Sequence, residues 1–139
     1  MRAHQRTHRR SVRVEYLLPD EAASARRARR LTSAFLSRSR HRMAQVEAGQ
    51  IDDATLIVSE LVANATRHGR SACRLRLQVS DEQVTVEVYD DNPAQPRLRP
   101  PAPDGESGRG LAIVRDLAQR FDVTPVTGGG KRVRAVLAM

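Results

Sequence analysis

The segment Ile57–Gly69, IVSELVANATRHG, constrains the fold more than any other part of this chain. Glu60, Asn64 and His68 follow one another at intervals of four residues. At 3.6 residues per turn such a series drifts by only about 40° per step, so an acid, an amide and an imidazole share one stripe of a helix. Ala54, Ile57, Val58, Leu61 and Ala65 make the opposite, apolar stripe, which has to bury against a second layer. The polar stripe is left available to a ligand.

The rest of the chain supplies that layer. Val12–Leu18 alternates apolar and polar residues like a strand, and Pro19-Asp20-Glu21 then marks a stop followed by acids suited to a helix N-terminus. A first helix is expected from Ala22 to about Ser39, and His41–Ile51 as a frayed end plus connection. Asp52 or Asp53 would cap the second helix, which runs to His68, with Gly69 at the left-handed position after its end. Cys73–Val79 and Val84–Val88 alternate cleanly around a short polar link and predict an antiparallel hairpin. Asn92–Gly108 holds five prolines and no periodicity, a length at which a loop in a small domain is functional or disordered. Leu111, Ile113, Val114, Leu117, Ala118 and Phe121 mark a third apolar helix face. Phe121–Val126 and Lys131–Leu137 then form a hairpin around Gly128-Gly129-Gly130. The order β, α, α, β, β, loop, α, β, β predicts an α+β, two-layer sandwich, helices covering one face of a mixed, mostly antiparallel sheet.

Charge and length set the context. At 139 residues the chain fits one domain with a real core, read as residues 12–139 behind a basic, flexible arm at 1–11. The net charge of +8 is concentrated at the front: residues 1–42 hold twelve Arg and three acids, and the remainder is nearly neutral. Arg26, Arg27, Arg29 and Arg30 fall in the first helix, where a solvated face is the commoner outcome than a phosphate or acidic-protein contact. No base-reading motif or stacking aromatic series accompanies them, so direct nucleic-acid binding ranks last among the functions considered. Cys73 is the single cysteine, and neither a bilayer-spanning run nor a secretory h-region is present, which makes a cytoplasmic protein the expectation.

Taken together, the polar groups suggest a nucleotide site. A helix starting after Gly108 offers phosphate its free N–H groups and positive dipole end, and Gly108-Arg109-Gly110 lets the main chain approach closely. A carboxylate at Asp90 accepts from an exocyclic amine such as adenine's and would face guanine's carbonyl with a second acceptor. The amide oxygen of Asn64 is a neutral hard ligand for magnesium, and Glu60 could take a proton from an attacking hydroxyl. Each residue alone has an ordinary surface or turn explanation. The combination and its order carry the case.

That combination resembles the histidine-kinase-like ATPases of the Bergerat fold, and within them the small single-domain anti-sigma-factor serine/threonine kinases. Ser59–Gly69 (SELVANATRHG) resembles the N box, Val86–Asp90 (VEVYD) with Pro93 and Pro96 the G1 box, Gly108–Val114 (GRGLAIV) the G2 box, and Gly129-Gly130-Lys131 the family's glycine-lysine signature. The resemblance covers about Val12 to Leu137. It implies Glu60 as catalytic base, Asn64 as magnesium ligand, and Asp90 as adenine reader. With them, His68, Gly108, Arg109, Gly110 and Leu111 would line the nucleotide site, under a lid at about 92–108. It further implies ATP and Mg2+ as cofactors, a sigma factor and an anti-anti-sigma phosphoacceptor as partners, and the option of a homodimer. His68 lies in the N-box helix and is not a phosphoacceptor histidine. The chain departs from the wider pattern at Asn92, Ala94 and Arg132. The alternative to a kinase is a silent module that acts by sequestering its partner.

Overall fold

The computed structural model describes residues 11–42, 47–68, 72–91 and 109–138, with the side chains of 40–42, 67–68 and 109 excepted. Its elements in chain order are β1 (Ser11–Leu18), α1 (Ser24–Arg42), α2 (Ala48–His68), β2 (Cys73–Ser80), β3 (Gln83–Asp90), α3 (Arg109–Leu117), β4 (Arg120–Pro125) and β5 (Lys131–Ala138). The strands form a sheet in the order β1-β2-β3-β5-β4, and all four pairings are antiparallel. The expected α+β two-layer sandwich is the observed architecture. Among the described residues, no helix is long and apolar enough to cross a membrane.

Alternation explains the two faces of the sheet. Leu75, Leu77 and Val79 on β2, Val84, Val86 and Val88 on β3, and Val133, Ala135 and Leu137 on β5 point to the helical side and are buried. Against them α2 sets Ala54, Ile57, Val58, Leu61 and Ala65, the stripe expected from the sequence, together with Val62. Helix α1 contributes Ala28, Phe35 and Leu36 from one face and keeps Arg26, Arg27, Arg29 and Arg30 exposed. Packing α2 against α1, α3 and β3 places it at the centre of the helical layer, so its polar stripe is held on a rigid support.

The face turned away from the helices carries a row of alternating charge. Register lines up Glu15, Arg76, Glu87, Arg134 and Asp122 across the five strands. Arg76 bridges Glu15 at 3.1 Å and Glu87 at 3.6 Å, and Arg132, one row along, reaches Glu87 at 3.5 Å and Asp122 at 3.7 Å. Tyr89 lies beneath the guanidinium groups of Arg74 and Arg76, 4.6 and 5.4 Å from its ring centre.

Several boundaries differ from expectation for local reasons. Helix α2 starts at Ala48 rather than after Asp52 or Asp53, because the Glu47 N–H donates to Gln50 Oε1 at 2.8 Å. That amide side chain, three residues on, satisfies a helix-end donor, and both aspartates become interior positions. Helix α1 begins at Ser24, whose hydroxyl donates to the Pro19 carbonyl at 2.6 Å, so Asp20 and Glu21 precede the helix. Helix α3 ends at Leu117, and Phe121 belongs to β4, where it packs on the core from the strand. Strand β1 opens at Ser11, one residue inside the expected arm; residues 1–10, Gly69 and the expected lid at 92–108 lie outside the described residues.

Candidate functional site

Two side-chain groups on the helical side of the sheet carry the polar chemistry. The first joins α2 to the start of α3. Glu60 and Asn64, one turn apart on α2, are both half-buried, on the flank of the helix that does not enter the core. Gly110 is the second residue of α3, and a Cβ built there would collide with Glu60 Oε1. Only glycine lets the first turn of α3 come so near the carboxylate. That turn has N–H groups without helical acceptors and the positive end of the helix dipole, both favourable to negative charge.

The second group sits where β3 ends beside the start of β5. Asp90 and Lys131 are register partners, and Lys131 Nζ donates to Asp90 Oδ1 at 2.9 Å. Both side chains are almost wholly buried, 4% exposed for lysine and 2% for aspartate. Gly130, at φ 85°, brings the main chain so close that a Cβ would meet the Asp90 carbonyl oxygen. Cys73, at the neighbouring end of β2, is buried as well. Burial first, and then the charge of Asp90, push its thiol up to about 11.

A family description, the histidine kinase-like ATPase domain, matches residues 18–137. The chain belongs to that family. Among solved structures, the RsbU and RsbW domains of Rv1364c from Mycobacterium tuberculosis share its fold, with a TM-score of 0.64 and 19% identity. The likeness covers 91% of this chain and 31% of that one. No curated protein matches the chain.

Within this histidine kinase-like ATPase domain, the expected site residues fall into three sets. Glu60 and Gly110 meet at the α2–α3 junction, Asn64 lies one turn along α2 from Glu60, and Asp90 stands at the strand end. Leu111 is a core residue, 6% exposed, so any contact it makes with a ligand runs through its main-chain N–H at the third position of α3. Gly108 and the side chains of His68 and Arg109 lie outside the described residues. An open groove of about 450 Å³ between the start of α1 and α2 is lined by Asp20, Glu21, Ala22, Ala63 and Thr66, and so lies apart from Glu60, Asn64 and Asp90.

Lys131 is the residue whose position the sequence did not reveal. The glycine-lysine signature marked it as family-like, but nothing local joined it to Asp90, 41 residues away. The usable signal was strand phase. Asp90 continues the inward set Val84, Val86, Val88, and Lys131 begins the inward set Val133, Ala135, Leu137. A charged residue at the same end of two adjacent buried faces needs a partner of opposite sign.

Proposed function

We propose that this domain is an ATP-dependent serine/threonine protein kinase of the anti-sigma-factor type, binding a sigma factor and phosphorylating an anti-anti-sigma partner in the cytoplasm. The observation that carries the reading is Glu60 on α2 facing the first turn of α3 at Gly110, in a domain of the histidine kinase-like ATPase family. A carboxylate beside a helix N-terminus stands next to the place where transferred phosphate charge is best received. The chemistry of Asn64 also suits magnesium carried with ATP, which it would hold through its neutral amide oxygen.

The residues divide the work. Asp90 accepts a hydrogen bond from the base and so fixes one end of the nucleotide. The first N–H groups of α3, from Gly110 and Leu111, hold phosphate oxygens at the other end. Asn64 keeps the metal end in register. Glu60 takes the proton of the acceptor serine as its oxygen bonds to the γ-phosphorus and the bond to ADP breaks. Bound Mg2+ supplies charge neutralisation on the phosphates. Catalysis of this kind consists of positioning and electrostatics.

The test is transfer of labelled phosphate from ATP to an anti-anti-sigma protein from the same genome. Transfer is expected for the wild type, and Glu60→Ala should reduce it by about 10²- to 10⁴-fold while leaving nucleotide affinity within a few-fold. Saturable ATP binding with no transfer to any such partner would overturn the kinase and leave the sequestering module.

A further inference from the structure

We propose that the arginine face of α1 binds duplex DNA through its phosphates, without reading sequence. This function does not depend on the nucleotide site. Helix α1 (SARRARRLTSAFLSRSRHR) contains no acidic residue. Ala28, Thr32, Phe35, Leu36 and Ser39 turn inward and are buried, whereas Arg26, Arg27, Arg29, Arg30 and Arg38 are exposed. At about 100° per residue, these five arginines share roughly half the circumference of the helix over about 18 Å of its length.

They stand without counter-charges. On the sheet arginine is neutralised: Arg74 and Arg76 reach Glu15, and Arg132 reaches Glu87 and Asp122. Among the described residues, no carboxylate pairs with these five arginines of α1. The acids just before the helix, Asp20 and Glu21, line the groove on its α2 side. Arg26, Arg27, Arg29 and Arg30 also crowd the start of the helix, where its dipole opposes positive charge, and Arg26 repels Arg29 and Arg30 one turn away. Helix stability does not account for this placement. A polyanion laid along the face relieves it.

The rest of the face selects the polyanion. A protein partner is anchored by apolar or aromatic groups at the centre of its contact, and the large hydrophobic residues exposed among the described residues, Leu17 and Leu56, are not on α1. Single-stranded nucleic acid takes stacking aromatics, and the aromatic residue of α1, Phe35, is in the core. Duplex RNA closes its major groove to side chains, whereas the DNA major groove, about 12 Å wide, admits a helix. Ser33, Ala34 and Ser37, interspersed with the arginines, are short enough to allow close approach. Guanidinium groups bond phosphate bidentately. Phosphate contacts carry no sequence information, so α1 needs no base-reading motif to make them.

Fluorescence anisotropy of the full chain with two short labelled duplexes of unrelated sequence tests this. With about three or four phosphates contacted, affinity should fall about 10²-fold between about 50 and 200 mM salt, equally for both duplexes. Combining Arg26→Gln, Arg27→Gln, Arg29→Gln and Arg30→Gln keeps helix propensity and removes the charge. This variant should bind at least about tenfold more weakly at about 50 mM salt, with a flatter salt dependence. The same exchange at Arg2, Arg6, Arg9 and Arg10 should leave affinity within a few-fold. Full affinity in a folded α1 variant, or loss of binding through the exchange at positions 2 to 10 alone, overturns the proposal. So does displacement of the DNA by poly-glutamate at equal charge concentration, which would mark a surface for an acidic protein. Wild-type binding that is absent at about 50 mM salt, or indifferent to salt, overturns it even if the α1 variant does not fold.

Discussion

Gly110 answers two demands at once. As the second residue of α3 it would leave the main chain open to phosphate in the proposed kinase, and by lacking a Cβ it makes room for Glu60 Oε1. Adding one methyl group separates these effects. Gly110→Ala places a carbon where the carboxylate oxygen lies, but the obstacle is the end of a flexible side chain, which can swing aside. Alanine also favours helix over glycine by roughly 1 kcal/mol, so the variant should fold with about wild-type stability. What it loses is the aim of Glu60. Single-turnover phosphate transfer should drop by about 10²-fold, the scale of a displacement near 1 Å, with ATP affinity little changed. Unaltered transfer would show that Glu60 need not stand where it does. Glu60 and Asn64 were legible from helical spacing alone, because a helix fixes neighbours by counting. The contact with Gly110 was not, since it depends on how two helices distant in sequence pack.

The same divide appears at the scale of elements. Period two identified β1, β2 and β3, the three glycines at 128–130 the β4–β5 hairpin, the Pro19 stop α1, and apolar stripes α2 and α3, since each signal needs only its own segment. Ends were read less well. The Glu47–Gln50 cap moved the start of α2 forward, and no periodicity announces a cap made by glutamine. Register lay further out of reach, yet it governs the face of the sheet turned away from the helices. The row Glu15, Arg76, Glu87, Arg134, Asp122 is a property of five strands jointly, and a slip of one residue would turn its charges toward the helices. Glu87 is its pivot: it is 8% exposed, with Arg76 on one side and Arg132 on the other. Glu15 and Asp122, the other carboxylates that face Arg76 and Arg132, are far more exposed than Glu87, so the buried part of the row relies on Glu87 for its negative charge. Glu87→Ala should therefore cost about 1–3 kcal/mol in urea unfolding, more than a surface ion pair would. A loss below about 0.5 kcal/mol would mean that the row only decorates the sheet.

For the whole molecule, the buried thiol of Cys73 links the site to global stability. It lies at the end of β2, 1% exposed, and burial together with the charge of Asp90 raises it from 9.0 to about 11. The folded chain keeps this proton to higher pH than the unfolded chain does. Below pH 9 both states hold it and the stabilisation is complete. Between 9 and 11 the unfolded state binds fewer protons, so the free energy of unfolding falls as pH rises. The composition makes this measurable: one lysine and two tyrosines are the main other side chains that titrate in that range, and arginine stays charged. Chemical unfolding of the wild type and of Cys73→Ala at pH 8, 9, 10 and 11 should give curves that converge with pH, the wild type losing stability that the variant does not lose. Parallel curves would show a thiol that ionises equally in both states, and so a strand end open to water. Convergence would place the interior beside Asp90 among the least solvated parts of the molecule, the condition under which its ion pair with Lys131 carries the most weight.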